Sequence, residues 1–129
     1  MSIQNSPQLN ILAQKYPKKG FIEICFLDDG VSIPQNFETH GYNFEYDSEA
    51  IIQAINGRST KVQCFGGPER GYGLNNILNI FVEGGKGELL VVSRKGVFYK
   101  SQDAKIYELG KEFQGTLVSL RIHKGKLNI

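Results

Sequence analysis

The chain has 129 residues, 40% of them hydrophobic and 22% charged, which fits one globular domain with a single core. Its formal net charge is +2 without a long block of one sign, so nucleic-acid binding has little support. No apolar run approaches the length of a membrane span, and residues 1–5 lack the features of a signal peptide. We therefore expect a cytoplasmic protein that binds neither nucleic acid nor membrane.

The cysteines and histidines predict neither a disulfide framework nor a metal site. Cys25 lies within an apolar stretch and is interpreted as a buried thiol, while Cys64 lies far along the chain. His40 and His123 have no local acidic or nucleophilic partner, and we interpret them as ordinary surface residues. The spacing of these four residues does not match that of a zinc site.

The N-terminal part of the chain predicts a β-hairpin. Residues 1–8 are polar and are interpreted as a loose segment. Leu9–Tyr16 is assigned as the first strand, followed by a turn over 17–20. In 21–27, apolar and polar residues alternate with the period of a half-buried strand.

The second strand ends at two carboxylates and a glycine, Asp28, Asp29 and Gly30. One interpretation is a surface turn, since this composition is common in turns. The other is a carboxylate held at a strand end, where Asp28 accepts hydrogen bonds from the amino group of a ligand. This stretch alone leaves both interpretations open.

The segment after this turn predicts a loop and then a helix. Residues 35–46 show no clear period, so we predict a loop, with or without a short helical turn. Asp47 and Ser48 predict a helix N-cap, and apolar residues at helical spacing extend the helix to Ile55. The aromatic side chains of the loop either stack on a nucleotide base or pack against this helix; they are Tyr42, Phe44 and Tyr46.

A glycine-rich loop precedes a second predicted helix. Residues 57–73 contain five glycines and a proline, and a helical apolar stripe runs over 74–82 and predicts packing on the sheet. Gly71 and Gly73 either expose backbone N–H groups that bind phosphate or form a tight helix entry. Arg70 beside them is either a phosphate-binding cation or a solvated charge.

The C-terminal part predicts further strands. We expect strands at 88–93 and 97–100 around a turn at 94–96, weak strand character over 104–109, a connection over 110–115, a last strand at 116–122 and a tail at 124–129. Because the strands return through hairpins, we predict an α+β fold. It is a two-layer sandwich of a mostly antiparallel mixed sheet with helices on one face, formed by one domain over 1–129.

Three glycine-marked motifs, taken in order, resemble those of the histidine-kinase-like ATPase superfamily, which includes sensor kinases, gyrase B, MutL and the heat-shock chaperone ATPases. The stretch 28–34 (Asp-Asp-Gly-Val-Ser-Ile-Pro) resembles the family's Asp-x-Gly-x-Gly motif, with Ser32 replacing the second glycine. The stretch 70–74 (Arg-Gly-Tyr-Gly-Leu) resembles its second glycine box, and Gly115-Thr116 resembles its last.

The resemblance implies a Bergerat-type fold that binds ATP or ADP. In that case Asp28 binds the adenine amino group, Thr116 helps to fix Asp28, and 57–70 takes the place of the ATP lid. The other implied nucleotide-binding residues shape the base pocket or face the phosphates; they are Gly30, Ile33, Arg70, Gly71, Gly73 and Leu74.

The chain departs from the family at its first motif, a helix that carries a Glu and, four residues later, an Asn that holds Mg²⁺. Only 1–8 precede the hairpin here, and they contain no Glu, so we expect an N-terminally incomplete domain that does not hold Mg²⁺ alone. The resemblance then implies weak nucleotide binding without independent kinase or ATPase turnover, and no catalytic or metal-binding residues.

The alternative is a degenerate relative that binds no nucleotide and acts as a protein-interaction module. Its exposed sheet face would be covered by a second copy or by another protein.

Overall fold

An antiparallel sheet of four strands forms one layer of the structure. The computed structural model describes residues 9–56, 82 and 87–123. In this part of the chain the elements are β1 (Leu9–Tyr16), β2 (Phe21–Asp28), α1 (Ile33–Thr39), α2 (Asp47–Ile55), β3 (Glu88–Lys100) and β4 (Ala104–His123). The strand order is β1-β2-β4-β3, and each neighbouring pair is antiparallel. The predicted α+β class with an antiparallel sheet is confirmed.

The core lies between one face of the sheet and helix α2. Ile51 and Ile55 of α2 are fully buried against Leu89 and Val91 of β3 and against Leu120 of β4. Burial of each such side chain contributes about 1.5–3 kcal/mol relative to its exposed state. Helix α2 therefore belongs to the second layer of the sandwich. Neither described helix is long and apolar enough to cross a membrane.

The first hairpin agrees closely with the prediction. Strands β1 and β2 pair without interruption from Leu9 opposite Asp28 to Tyr16 opposite Phe21. The turn between them contains Gly20 at φ +78°, a backbone conformation that glycine adopts readily. The second strand extends one residue further than predicted, so that Asp28 is its last residue.

The predicted loop over 35–46 is wrong in its first part, because Ile33–Thr39 forms helix α1. Ser32 is its N-cap and accepts a hydrogen bond from the backbone N–H of Gln35 at 3.1 Å. A proline at the start of a helix needs no hydrogen-bond partner for its nitrogen, which suits Pro34 to this position.

The aromatic side chains after α1 pack against the helices. Phe37 is buried, and its ring lies edge-on to that of Tyr42 with the ring centres 5.3 Å apart. Tyr42 and Phe44 both contact the cluster that Phe37 forms with alanines of α2. For these two residues the packing alternative is confirmed, whereas Tyr46 is half exposed.

Helix α2 begins differently from the prediction. Asp47 is its first residue rather than its cap, and the capping position is taken by Tyr46, which makes no side-chain cap hydrogen bond. The backbone N–H of Ser48 donates instead to the carboxylate of Glu108 on β4 at 3.0 Å. A distant carboxylate therefore satisfies this N-terminal donor, in place of the local cap that the sequence predicts.

The predicted turn at 94–96 and the predicted connection at 110–115 are both wrong. Strand β3 runs through the first segment and β4 through the second. Arg94 has φ +54°, and the β3–β4 register shifts on both sides of it. The sequence signals of a turn therefore mark an irregularity within a continuous strand.

Several predictions fall on residues that are not described. They concern the loose segment 1–8, the lid-like loop 57–70, most of the helix over 74–82, Cys64 and the tail 124–129. Val82, the last residue of that predicted helix, is buried in the core cluster, as its apolar stripe indicates.

The Arg94 guanidinium joins both helices to β3. It donates to both carboxylate oxygens of Glu38 on α1, at 2.7 and 2.9 Å, and to both oxygens of Asp47 on α2, at 2.8 and 2.9 Å. The Lys95 backbone N–H donates to the same Asp47 carboxylate at 2.9 Å. Hydrogen bonds from Arg94 hold the pKa of the Asp47 carboxyl below its ordinary 3.8 and the pKa of Glu38 below 4.5.

We predict that Arg94→Ala lowers the free energy of unfolding by about 2 kcal/mol, because it leaves the partly buried Asp47 carboxylate without its main partner. Alanine at this position must also adopt the positive φ. The loss of stability therefore measures the removal of the guanidinium side chain and not a change in backbone strain. Urea unfolding at neutral pH measures the effect. Lys95→Ala is the control, since it removes a neighbouring positive charge but leaves the backbone donor in place. A loss that is equal in both variants would contradict the assignment.

The same ion pairs predict a pH dependence. A carboxyl whose pKa is lowered by folding stabilises the fold above its ordinary pKa, and the contribution disappears as pH falls through the folded value. Asp47 and Glu38 are such groups. We therefore expect the stability difference between wild type and Arg94→Ala to shrink as the pH is lowered from neutral to well below 3.8. Urea unfolding of both proteins across this range is the measurement, and a constant difference would refute the prediction.

Candidate functional site

Three side chains from three adjacent strands lie in one row near one end of the sheet. Asp28 on β2 is directly opposite Thr116 on β4, and Thr116 is directly opposite Ser93 on β3. Directly opposite residues of an antiparallel pair project on the same face, which here is the face that helix α2 covers. The first and last sequence motifs, which are distant in the chain, are therefore neighbours in the structure.

Gly115 allows β4 to approach the end of β2 closely. It has φ +88°, and a Cβ built on it would overlap the carbonyl oxygen of Asp28 and come within 2.8 Å of the Cα of Asp29. Only glycine satisfies both the conformation and the lack of space at this position. The glycine of the last motif thus has a direct structural role beside Asp28.

The Ser93 hydroxyl connects this row to helix α1. It is fully buried, lies 2.7 Å from the Thr116 hydroxyl and accepts a hydrogen bond from the Ile33 backbone N–H at 2.8 Å. It also lies 3.4 Å from the carbonyl oxygen of Gly115. The single Ser93 proton is donated either to this carbonyl, in which case Thr116 donates to Ser93, or to Thr116, in which case the Thr116 proton is available to another acceptor.

The Asp28 carboxylate makes a local turn contact. Its Oδ1 accepts a hydrogen bond from the Gly30 backbone N–H at 2.8 Å, as in an Asx turn. An ionised carboxylate can accept about four hydrogen bonds, so this contact leaves it further acceptor capacity. Asp28 is half-buried and Asp29 is exposed, so of the two carboxylates the first is the better enclosed.

The structure brings together four of the eight predicted nucleotide-binding residues. Asp28 and Thr116 form the row, Gly30 donates to Asp28, and Ile33 is tied through its N–H to Ser93 beside Thr116. The other four lie outside the described residues; they are Arg70, Gly71, Gly73 and Leu74.

Ser93 is the residue of this site that sequence reasoning missed. The sequence predicts it only as the last residue of a strand, and its neighbours Arg94, Lys95 and Gly96 indicate a turn. The signal in the sequence is that Ser93 continues the alternation of Leu89 and Val91 on β3. A polar side chain on that buried face needs a hydrogen-bond partner.

The opposite face of the sheet carries a shallow recess of about 150 Å³. It is lined by Glu23, Glu88, Leu90, Tyr99, Ser119 and Arg121. Its charges are paired with one another, since Arg121 lies 3.1 Å from Glu23 and 3.6 Å from Glu88. We assign this cluster to the stability of the sheet.

Two predictions about single residues need correction. His123 is not an ordinary surface residue, because its Nε2 lies 3.3 Å from Glu88 and its ring packs edge-on to Phe21. The sequence could not show this acidic partner, which lies on another strand. Cys25 is only half-buried, and its sulfur lies 3.5 Å from the Ser119 hydroxyl on the recess face. His40 is exposed, as predicted.

Within the described ranges, no three His, Cys, Asp or Glu side chains come together as a metal site. Comparison with known proteins adds no identity: no protein-family model and no curated protein matches the chain.

We predict that Gly115→Ala destabilises the fold by more than about 2 kcal/mol, because it adds a steric overlap to the cost of a positive φ. Two controls separate these effects. Gly41→Ala has the same kind of φ, +87°, with open space around it, and should lose about 1 kcal/mol. Gly110→Ala, with open space and no positive φ, should change little. Urea unfolding of the three variants gives the order, and a Gly115→Ala effect no larger than that of Gly41→Ala would contradict the close approach.

Proposed function

We propose that the chain is the ATP- or ADP-binding part of a histidine-kinase-like ATPase or signalling protein with a Bergerat-type fold. Binding is weak, and this chain alone does not turn over nucleotide. Residues 1–8 contain no Glu, so the Glu and the Asn four residues later that mark the first motif of that family are not among them. The Asn-bearing helix is what would hold Mg²⁺ in proteins of this kind.

One observation carries the proposal. Asp28 and Thr116, selected from separate sequence motifs, are direct cross-strand partners. The resemblance assigns Thr116 the task of supporting an adenine-binding Asp, and that task requires the two residues to be adjacent. The row of Asp28, Thr116 and Ser93 therefore has the arrangement that the proposal needs.

The chemistry of the row suits the recognition of an amino group. An ionised carboxylate accepts hydrogen bonds and donates none, so Asp28 favours a donor such as the exocyclic amine of adenine. Ile33 begins helix α1 beside the row, and the part of its side chain that is not packed against the core would give a base an apolar contact. Gly71 and Gly73 would bind the phosphates through backbone N–H groups, with Arg70 as the cation and Leu74 in the following helix.

The hydrogen bond within the turn at Asp28 favours a second function, that of an interaction module. The contact from Gly30 gives this carboxylate a structural role that requires no ligand. In that case the chain is a degenerate relative that binds no nucleotide and works as an interaction module. Exposed apolar side chains on β1, such as Ile11 and Leu12, favour contact with a second copy or another protein.

Calorimetric titration with ATP and ADP in the presence of Mg²⁺ separates these functions. We predict binding that Asp28→Asn reduces by tenfold or more, because the amide puts a donor where the base amine needs an acceptor. Asp29→Asn is the matched control and should bind as wild type does. No heat at millimolar nucleotide would refute nucleotide binding and favour the interaction module.

A further inference from the structure

Strand β1 forms an unprotected edge of the described sheet. It pairs with β2 on one side only, and the first seven of its eight residues are exposed. Three of its apolar side chains are more than half exposed: Leu9 at 62%, Ile11 at 60% and Leu12 at 68%. Leu9 and Ile11 project on the helix side of the sheet, opposite Asp28 and Phe26, and Leu12 projects on the other side. Both faces of this strand therefore offer apolar surface.

The two outer strands of the described sheet, β1 and β3, differ in how they are protected. Natural edge strands avoid pairing with other chains by means of lysines, prolines and bulges. On β3, the register shifts around Arg94, and Lys95 and Lys100 add charge. Strand β1 pairs with β2 without a shift, is about 26 Å long and has Lys15 as its one charged residue.

The pattern of β1 is compatible with an antiparallel copy of itself. A two-fold axis through Leu12 and perpendicular to the sheet places Leu12 opposite its own copy, and Ile11 opposite Ala13. The amides Asn10 and Gln14 then face each other. The one charged residue, Lys15, lies opposite Leu9, so no like charges meet, and its aliphatic part covers an apolar side chain. In each of these pairs both residues project on the same face, as antiparallel pairing requires.

We propose that β1 pairs edge to edge with β1 of a second copy, which joins the two sheets into one antiparallel sheet about a two-fold axis at Leu12. The pairing supplies partners for the outward N–H and C=O groups of β1 and buries the exposed apolar residues on both faces. Because the two-fold pairing uses the β1 edge of both copies, the assembly closes as a dimer. The dimer does not depend on nucleotide binding.

Sedimentation equilibrium from micromolar to millimolar protein tests the proposal. Wild type is expected to fit a monomer–dimer equilibrium. Leu12→Lys and Leu12→Glu each place two like charges on the axis, and each should raise the dissociation constant by about tenfold or more. An equimolar mixture of the two variants restores a heterodimer. Ile106→Lys, at a half-exposed position on β4, is the control and dimerises as wild type does.

Hydrogen exchange of the wild-type protein gives a test that needs no variant. The amides of 9–16 should become more protected at high than at low protein concentration, while those of β4 stay unchanged. A wild type that stays monomeric, oligomers larger than a dimer, an unaltered Leu12→Lys dimer, or concentration-independent exchange over 9–16 would each overturn the proposal.

Discussion

The hydroxyl of Ser93 is the constraint on which the candidate site depends. It is fully buried, and a hydroxyl buried without a partner costs free energy that a small domain cannot readily offset. Its partners are the N–H of Ile33 and the hydroxyl of Thr116, so one atom fixes the start of α1 against the end of the strand row. A change at Ser93 would therefore move the helix and the row together.

Arg94, the residue after Ser93, completes the attachment of the helices to β3. Helices of seven and nine residues are too short to be stable alone in water, so α1 and α2 depend on tertiary contacts. Ser93 binds the first residue of α1, and Arg94 binds Glu38 near its end and Asp47 at the start of α2. The positive φ of Arg94 and the register shift around it are the local irregularity at the point where this side chain leaves the strand.

The sequence predicted the features that arise from local periodicity. The hairpin of β1 and β2 follows from alternation, and the apolar spacing of α2 predicts its buried face. One error occurs where a distant residue replaces the local partner, and another where a local cap is given a different interpretation. The sequence predicts Asp47 as a cap, but its carboxylate binds Arg94, which lies 47 residues away. Sequence reasoning allows only a short helical turn where α1 forms, because it interprets Ser32 as a departure from a glycine motif and not as an N-cap.

The two interpretations of Asp28 are compatible, because they use different capacities of the same carboxylate. The Gly30 bond occupies one acceptor position and helps to orient the side chain, which leaves the group able to accept from another donor. A surface turn does not by itself require the facing strand to lie so close that Gly115 has no room for a Cβ. Nor does it require hydroxyls on the next two strands in the same row. The turn therefore explains the local geometry of Asp28, but it does not explain the close approach of Gly115 or the hydroxyls of Thr116 and Ser93 in the same row.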